Sequence, residues 1–113
     1  MSMWHATHRF ARISPRKARL VVDLIRGRPV QDAMDVLKLT EKKAATLVDK
    51  VLQSAIANAA EAEANPRTLY VRQAYVNEGP RIKRFQPKDR GRAHPIVKCT
   101  SHICIEVAQR EGR

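Results

Sequence analysis

Aromatic residues are scarce in this chain: one Trp, two Tyr and two Phe among 113 residues. Any core must therefore be packed from Ala, Val, Leu and Ile. Cysteine is scarcer still. If Cys99 and Cys104 share a strand, their odd separation puts them on opposite faces, a poor geometry for a mutual disulfide. Both read as reduced thiols of a cytosolic protein. Long apolar runs are missing too. No segment approaches the roughly 18–20 residues of a membrane span, and the N-terminus lacks the apolar core of a signal peptide. The expectation is a cytoplasmic chain with no membrane partner and, at this length, one small domain with one core.

Catalytic signatures are equally thin. Ser14 is better used as a helix cap, Asp23 sits among arginines, and no Gly-rich phosphate loop is present. A zinc site built from His94, Cys99, His102 and Cys104 fits none of the usual ligand spacings. In a strand, Cys99 and His102 would also project oppositely. The sequence therefore predicts no enzyme, no metal and no cofactor.

What the chain has is positive charge, and it is concentrated. There are 22 Lys and Arg against 11 Asp and Glu, a net charge of +11. Residues 9–28 hold seven bases and one acid, residues 79–98 hold seven and one again, and the rest is close to neutral. Two cationic segments on an otherwise balanced chain are suited to holding a polyanion, and nucleic acid is the first candidate.

The first block falls on a helix. Ser14-Pro15 is a strong helix start, with Ser as N-cap and Pro at the first position. The helix should run to Arg26, with Gly27 as the residue after its C-cap. At about 100° per residue, Leu20, Val21, Leu24 and Ile25 point one way, while Arg16, Arg19 and Arg26 cluster elsewhere and are offered outward. Residues 3–13 read as an extended lead-in. A second helix carries Val30, Ala33, Met34 and Leu37 at i, i+3, i+4, i+7. Thr40 is placed to cap a third, reaching about Ala64, with a stripe of Ala44, Leu47, Val48, Val51, Leu52, Ala55, Ile56 and Ala59. Asn65-Pro66 ends the helical half. Thr68–Val76 alternates as a strand with Leu69, Val71 and Tyr75 on one side. Thr100–Ala108 alternates with Ile103, Ile105 and Val107 against His102, Cys104 and Glu106. Helices followed by strands predict an α+β fold: a small antiparallel sheet of about three strands packed with three helices.

The second block lies between those strands. Pro80, Pro87 and Pro95 bar it from the middle of a sheet, and Gly91 beside Asp89 and Arg90 is a natural turn. It reads as a long protruding basic hairpin over about 80–100, its arms roughly 30 Å long at about 3.4 Å per residue. A two-stranded ribbon is marginal alone in water, so its order must come from a partner. Its cations are Arg81, Lys83, Arg84, Lys88, Arg90, Arg92 and Lys98; those of the first block are Arg9, Arg12, Arg16, Lys17, Arg19, Arg26 and Arg28. Arginine suits RNA well, because its planar fork bridges phosphate oxygens and stacks on bases. Phe85 is placed either to stack on an unpaired base or to anchor the ribbon.

These motifs together resemble the L twenty-two family of large-subunit ribosomal proteins. The resemblance is carried by Arg12-Ile13-Ser14-Pro15-Arg16-Lys17 followed by Val21-Val22-Asp23-Leu24-Ile25-Arg26-Gly27, and by Lys50-Val51-Leu52-Gln53-Ser54-Ala55 with Asn58-Ala59. Tyr75-Val76-Asn77-Glu78-Gly79-Pro80, Lys83-Arg84, Arg90-Gly91-Arg92-Ala93 and Thr100-Ser101-His102-Ile103 continue it, in order, over about residues 5–108. It implies a single ribosomal-protein domain over 1–113 that binds large-subunit (23S-type) rRNA near the peptide exit. The hairpin would line the exit tunnel, with its tip at Lys88, Asp89, Arg90, Gly91 and Arg92. Partners implied are rRNA, neighbouring large-subunit proteins and the nascent peptide, in a cytoplasmic ribosome and with no homo-oligomer. His102 joins the two basic blocks as an expected rRNA contact.

Four positions depart from the family pattern. Asp89 places an acid at the tip, Pro95 follows His94 in the returning arm, Cys99 replaces the usual Arg, and Pro29 stands where a capping residue often precedes the second helix. The main alternative is an architectural DNA-binding protein with a basic arm. That reading calls for apolar wedges at the arm's tip, and Lys88–Arg92 is entirely polar.

Overall fold

The computed structural model describes residues 3–80, 82–88, 92–98 and 100–109; over 82–88 and 92–98 it gives the strands and their pairing. In chain order the elements are β1 (Met3–Ala11), α1 (Pro15–Ile25), α2 (Val30–Leu39), α3 (Lys43–Glu61), a 3-10 turn (Pro66–Thr68), β2 (Leu69–Glu78), β3 (Ile82–Lys88), β4 (Arg92–Lys98) and β5 (Ser101–Gln109). The fold is α+β. Strands β1, β5 and β2 form an antiparallel sheet in that spatial order, and β3 pairs with β4 in a separate two-stranded ribbon.

The helices cover one face of the sheet. Strand β5 alternates as its sequence predicts, with Ile103, Ile105 and Val107 buried and His102, Cys104 and Glu106 partly open on the other face. Helix α3 brings Ala44, Ala45, Val48, Val51, Leu52, Ala55 and Ala59 into the core, with Leu47 and Ile56 packed at its margin. The small side chains let α3 lie close to the sheet. Helix α2 contributes Val30, Ala33 and Leu37, with Met34 beside them.

Helix α1 starts as read. The Ser14 hydroxyl accepts from the Lys17 N–H at 3.3 Å and Pro15 takes the first helical position, where its missing N–H costs nothing. Its buried stripe differs from the expected one. Ala18, Val21, Val22 and Ile25 are buried, whereas Leu20 and Leu24 are 53% and 42% exposed. Spacing at i, i+3, i+4, i+7 makes a complete stripe from Ala18 onward, and it leaves both leucines on the flank. Gly27 follows the C-cap at φ +82°, a conformation glycine adopts without strain.

Two further expectations are corrected. Thr40 does not cap α3; its hydroxyl donates to the Val36 carbonyl at 2.7 Å and so closes α2. Helix α3 begins at Lys43 after Lys42, with no side-chain cap. Tyr75 does not share a face with Leu69 and Val71. The pairing of β2 with β5 slips between Val71 and Gln73, an extra residue at Arg72 that reverses the alternation. Ala74 and Val76 therefore turn inward, and Tyr75 is 46% exposed.

At the C-terminus of α3, Ala64 N–H donates to the Ala59 carbonyl and Glu63 N–H to the Ala60 carbonyl. This is the paired bonding of a Schellman motif, with Glu63 in the left-handed position at φ +61°. A side chain costs about 1–2 kcal/mol there, partly offset by the freedom glycine has when unfolded. Glu63→Gly is expected to raise stability by about 0.5–1 kcal/mol in urea unfolding; a decrease would show that the Glu63 side chain holds the turn by another contact.

Candidate nucleic-acid interface

The two basic blocks lie far apart in sequence, and the sheet brings them to one end. Ser101, the first residue of β5, pairs with Ala11 at the end of β1 and with Glu78 at the end of β2. Its hydroxyl, fully buried, donates to the Ile13 carbonyl at 2.6 Å. The N-terminus of α1 is thereby fixed beside the point where the ribbon leaves the sheet. That point is a narrow neck: Gly79 N–H donates to the Thr100 carbonyl at 2.9 Å, and the Thr100 hydroxyl to the Pro80 carbonyl at 2.6 Å. A Cβ on Gly79 would collide with the Thr100 side chain and press on its backbone, so the close approach requires glycine.

Beyond the neck, β3 and β4 run antiparallel from Ile82↔Lys98 to Lys88↔Arg92. Each arm is seven residues, roughly 24 Å at about 3.4 Å per residue. Pro87 and Pro95 are tolerated because both strands of a two-stranded ribbon are edges. Arg81, Asp89, Arg90, Gly91 and Cys99 lie outside the described residues. Lys83, Arg84, Lys88, Arg92 and Lys98 are placed by strand register alone.

The first block divides into two groups. Arg9, Arg12, Arg16 and Lys17, all near the neck, are exposed, and their side chains make no hydrogen bond or ion pair among the described residues. Arg19, Arg26 and Arg28 are tied to backbone carbonyls. Helix α1 runs along the free edge of β2, where Arg19 Nη2 donates to the Val76 carbonyl at 3.0 Å. Arg26 Nε and Nη2 donate to the Ala74 carbonyl at 3.1 and 2.7 Å. Gly27 N–H continues the row to Val71 at 2.9 Å, and Arg28 Nε turns back to Leu24 at 2.6 Å. Arg26 also meets Asp23 at 2.8 Å, but both side chains are about half exposed, and such pairs contribute little. Charge-assisted bonds to a carbonyl are worth more, about 1.5–3 kcal/mol when sheltered. The sequence does not show the bonds to β2, because each joins elements far apart in the chain.

His102 is half-buried, and its Nδ1 accepts from the Phe10 N–H at 3.1 Å. Sequence reasoning missed Lys50. With Arg9, Thr7, His8 and Ser54 it lines a groove of about 230 Å³ between β1 and α3 that has no acid on its walls. Periodicity marks Lys50 only as an outward position of α3. Among the described residues, no cluster of three His, Cys, Asp or Glu side chains could hold a metal ion, and no helix is long and apolar enough to cross a membrane.

Similarity to known proteins extends over nearly the whole chain. The family model for ribosomal protein L22p/L17e matches residues 6–108. The large ribosomal subunit protein uL22 of Lactobacillus delbrueckii subsp. bulgaricus is 51% identical over 110 residues, covering 96% of this chain and 94% of the relative. That of Lacticaseibacillus casei is 50% identical over 108 residues, covering 95% and 92%. The chain belongs to the ribosomal protein L22p/L17e family.

Two predictions separate these roles. Arg26→Ala should destabilise the fold by about 1 kcal/mol, the sheltered value discounted for exposure. Arg16→Ala should stay within about 0.5 kcal/mol of the parent in urea unfolding. Equal losses would mean the bonds to Ala74 contribute nothing. The second concerns Tyr75, whose phenol is pushed above its ordinary value by its hydrogen bond to Cys104, then by the Cys104 charge, burial and Glu106. Stability from this group is complete below the ordinary tyrosine pKa and is lost as pH rises through the raised folded value. Cys104→Ala should bring the phenol back down in an ultraviolet titration; an unchanged midpoint would remove Cys104 as the cause.

Proposed function

We propose that this chain is a structural rRNA-binding protein of the large ribosomal subunit. Its globular part sits near the peptide exit and its basic ribbon lines the exit tunnel. The observation that carries this reading is the convergence at the neck. Four unpaired cations of the first block stand beside the base of a ribbon that holds the second. Phosphate-rich RNA, folded so that several segments approach one point, is the polyanion such an arrangement neutralises.

The mechanism is mechanical and electrostatic. Lysine and arginine side chains replace the counterions of converging rRNA segments, and the ribbon extends that contact away from the body. The family resemblance assigns the tunnel-facing tip to Lys88, Asp89, Arg90, Gly91 and Arg92. No reaction is assigned to the chain, and the same reading places it with neighbouring subunit proteins and the nascent peptide in a cytoplasmic ribosome.

Sucrose-gradient sedimentation of a tagged chain at about 0.5 M salt, which strips loosely held basic proteins, tests the proposal. The parent chain is expected to travel with large subunits in stoichiometric amount. An Arg90→Glu, Arg92→Glu double variant is expected to shift toward light fractions with its melting temperature unchanged. A parent chain recovered at the top of the gradient would overturn the proposal.

A further inference from the structure

The face of the sheet turned away from the helices carries two exposed aromatic rings in a chain that has five aromatics in all. Phe10 is 58% exposed and Tyr75 46%. Both are held in place by β5. The Phe10 ring meets the His102 ring edge-on, with centroids 5.0 Å apart and planes at 86°. Its backbone sits at φ +59°, a left-handed conformation that a bulky residue adopts only against strain. The Phe10 N–H bond to His102 Nδ1 and the slip in β1 pairing between His8 and Ala11 hold it there. Tyr75 stands opposite Cys104 in the ladder, two residues along β5 from His102. The two rings thus flank neighbouring outward positions of one rigid strand.

The charge beside Phe10 is positive. Arg9 and Arg12 flank Phe10 in sequence, exposed and without partners among the described residues. The outward positions of the sheet carry one acid, Glu106, and it is neutralised by Arg72 at 2.8 Å. An apolar protein partner would ask for a continuous greasy surface, yet beside exposed Met3 the outward positions His5, Thr7, Gln73 and Asn77 are polar. Separate rings in a polar, cationic setting are what unpaired bases need: π-faces to stack on, donors and acceptors for base edges, and arginines for the linking phosphates.

We propose that this open sheet face is a stacking platform for an unpaired stretch of rRNA, with Phe10 and Tyr75 each receiving a base and Arg9 and Arg12 holding the backbone between platform and neck. The proposal rests on the rRNA-binding reading and adds a second mode to it, since stacking is insensitive to salt while the neck and ribbon contacts are not.

The test is binding of the full chain to transcribed large-subunit rRNA across a salt series. Phe10→Leu and Tyr75→Leu keep apolar bulk but remove the π-face; Phe10→Tyr and Tyr75→Phe keep the ring. Each leucine variant is expected to lose about tenfold in affinity with the salt slope unchanged, while the ring-retaining variants bind as the parent does. Leucine variants that bind as tightly as the parent would overturn the platform and leave the rRNA-binding reading intact. So would a leucine loss accompanied by a shallower salt slope, because it would mean a charge contact had been disturbed. A parent chain that does not bind the transcript at low salt would overturn both.

Discussion

Strand β5 is paired along both edges, and the placement of every functional feature follows from that double ladder. Its inward residues Ile103, Ile105 and Val107 are buried against the helices. Its first residue meets the ends of β1 and β2 at once. The chain therefore has no freedom over where the ribbon emerges or where α1 begins, since both are set by hydrogen bonds to Thr100 and Ser101. Those two residues are the only polar ones buried among the described residues. Each hydroxyl donates to a backbone carbonyl, so their burial leaves no unpaired donor. Disturbing either would leave a backbone carbonyl without its donor at the point that sets the two cationic segments.

The arginines of α1 resolve a problem that any three-stranded sheet presents. Strand β2 is an edge, and its outward carbonyls would otherwise be open to pairing with another chain. Val71, Ala74 and Val76 offer those carbonyls, and Gly27, Arg26 and Arg19 occupy them in turn. On the other edge, Asn58 Nδ2 of α3 donates to the His5 carbonyl of β1 at 3.0 Å. Positive charge placed against backbone carbonyls is also less repulsive to its neighbours than the same charge left bare. Seven cations within 20 residues can thus coexist on a folded surface at modest cost.

Local rules recovered the elements of this fold, and the limits of those rules mark what they missed. The Ser14-Pro15 start, the α3 stripe and the alternation of β5 depend on residues a few positions apart, so periodicity and capping chemistry expose them. The slip at Arg72 depends on β5, more than 30 residues away, and it alone decides that Tyr75 faces outward. The slip beyond His8 decides the same for Phe10. Helix α1 failed differently: two overlapping apolar arcs were available, and only the position of β2 selects the one starting at Ala18. The residues themselves gave the hairpin and a nucleic-acid polyanion, and the resemblance to a ribosomal family added rRNA and the exit tunnel, but it treated all seven cations of the first block alike.

That distinction bears on how binding and folding coexist in one segment. An arginine drawn from a β2 carbonyl onto a phosphate would reopen the sheet edge, so part of its binding energy would be spent restoring an unpaired carbonyl. Arg9, Arg12, Arg16 and Lys17 carry no such penalty, because among the described residues their side chains make no bond that a phosphate would have to replace. They also cluster at the end of the sheet where the ribbon begins. Arg19 on α1 and Arg26 at its C-cap lie farther along the segment, where the edge needs them more than a ligand does, and Arg28 beyond the helix is tied to Leu24. One stretch of sequence therefore serves stability and recognition through different residues. The gradient from free to tied cations along α1 points from the neck toward the body, which is the direction in which contact with a polyanion should fade.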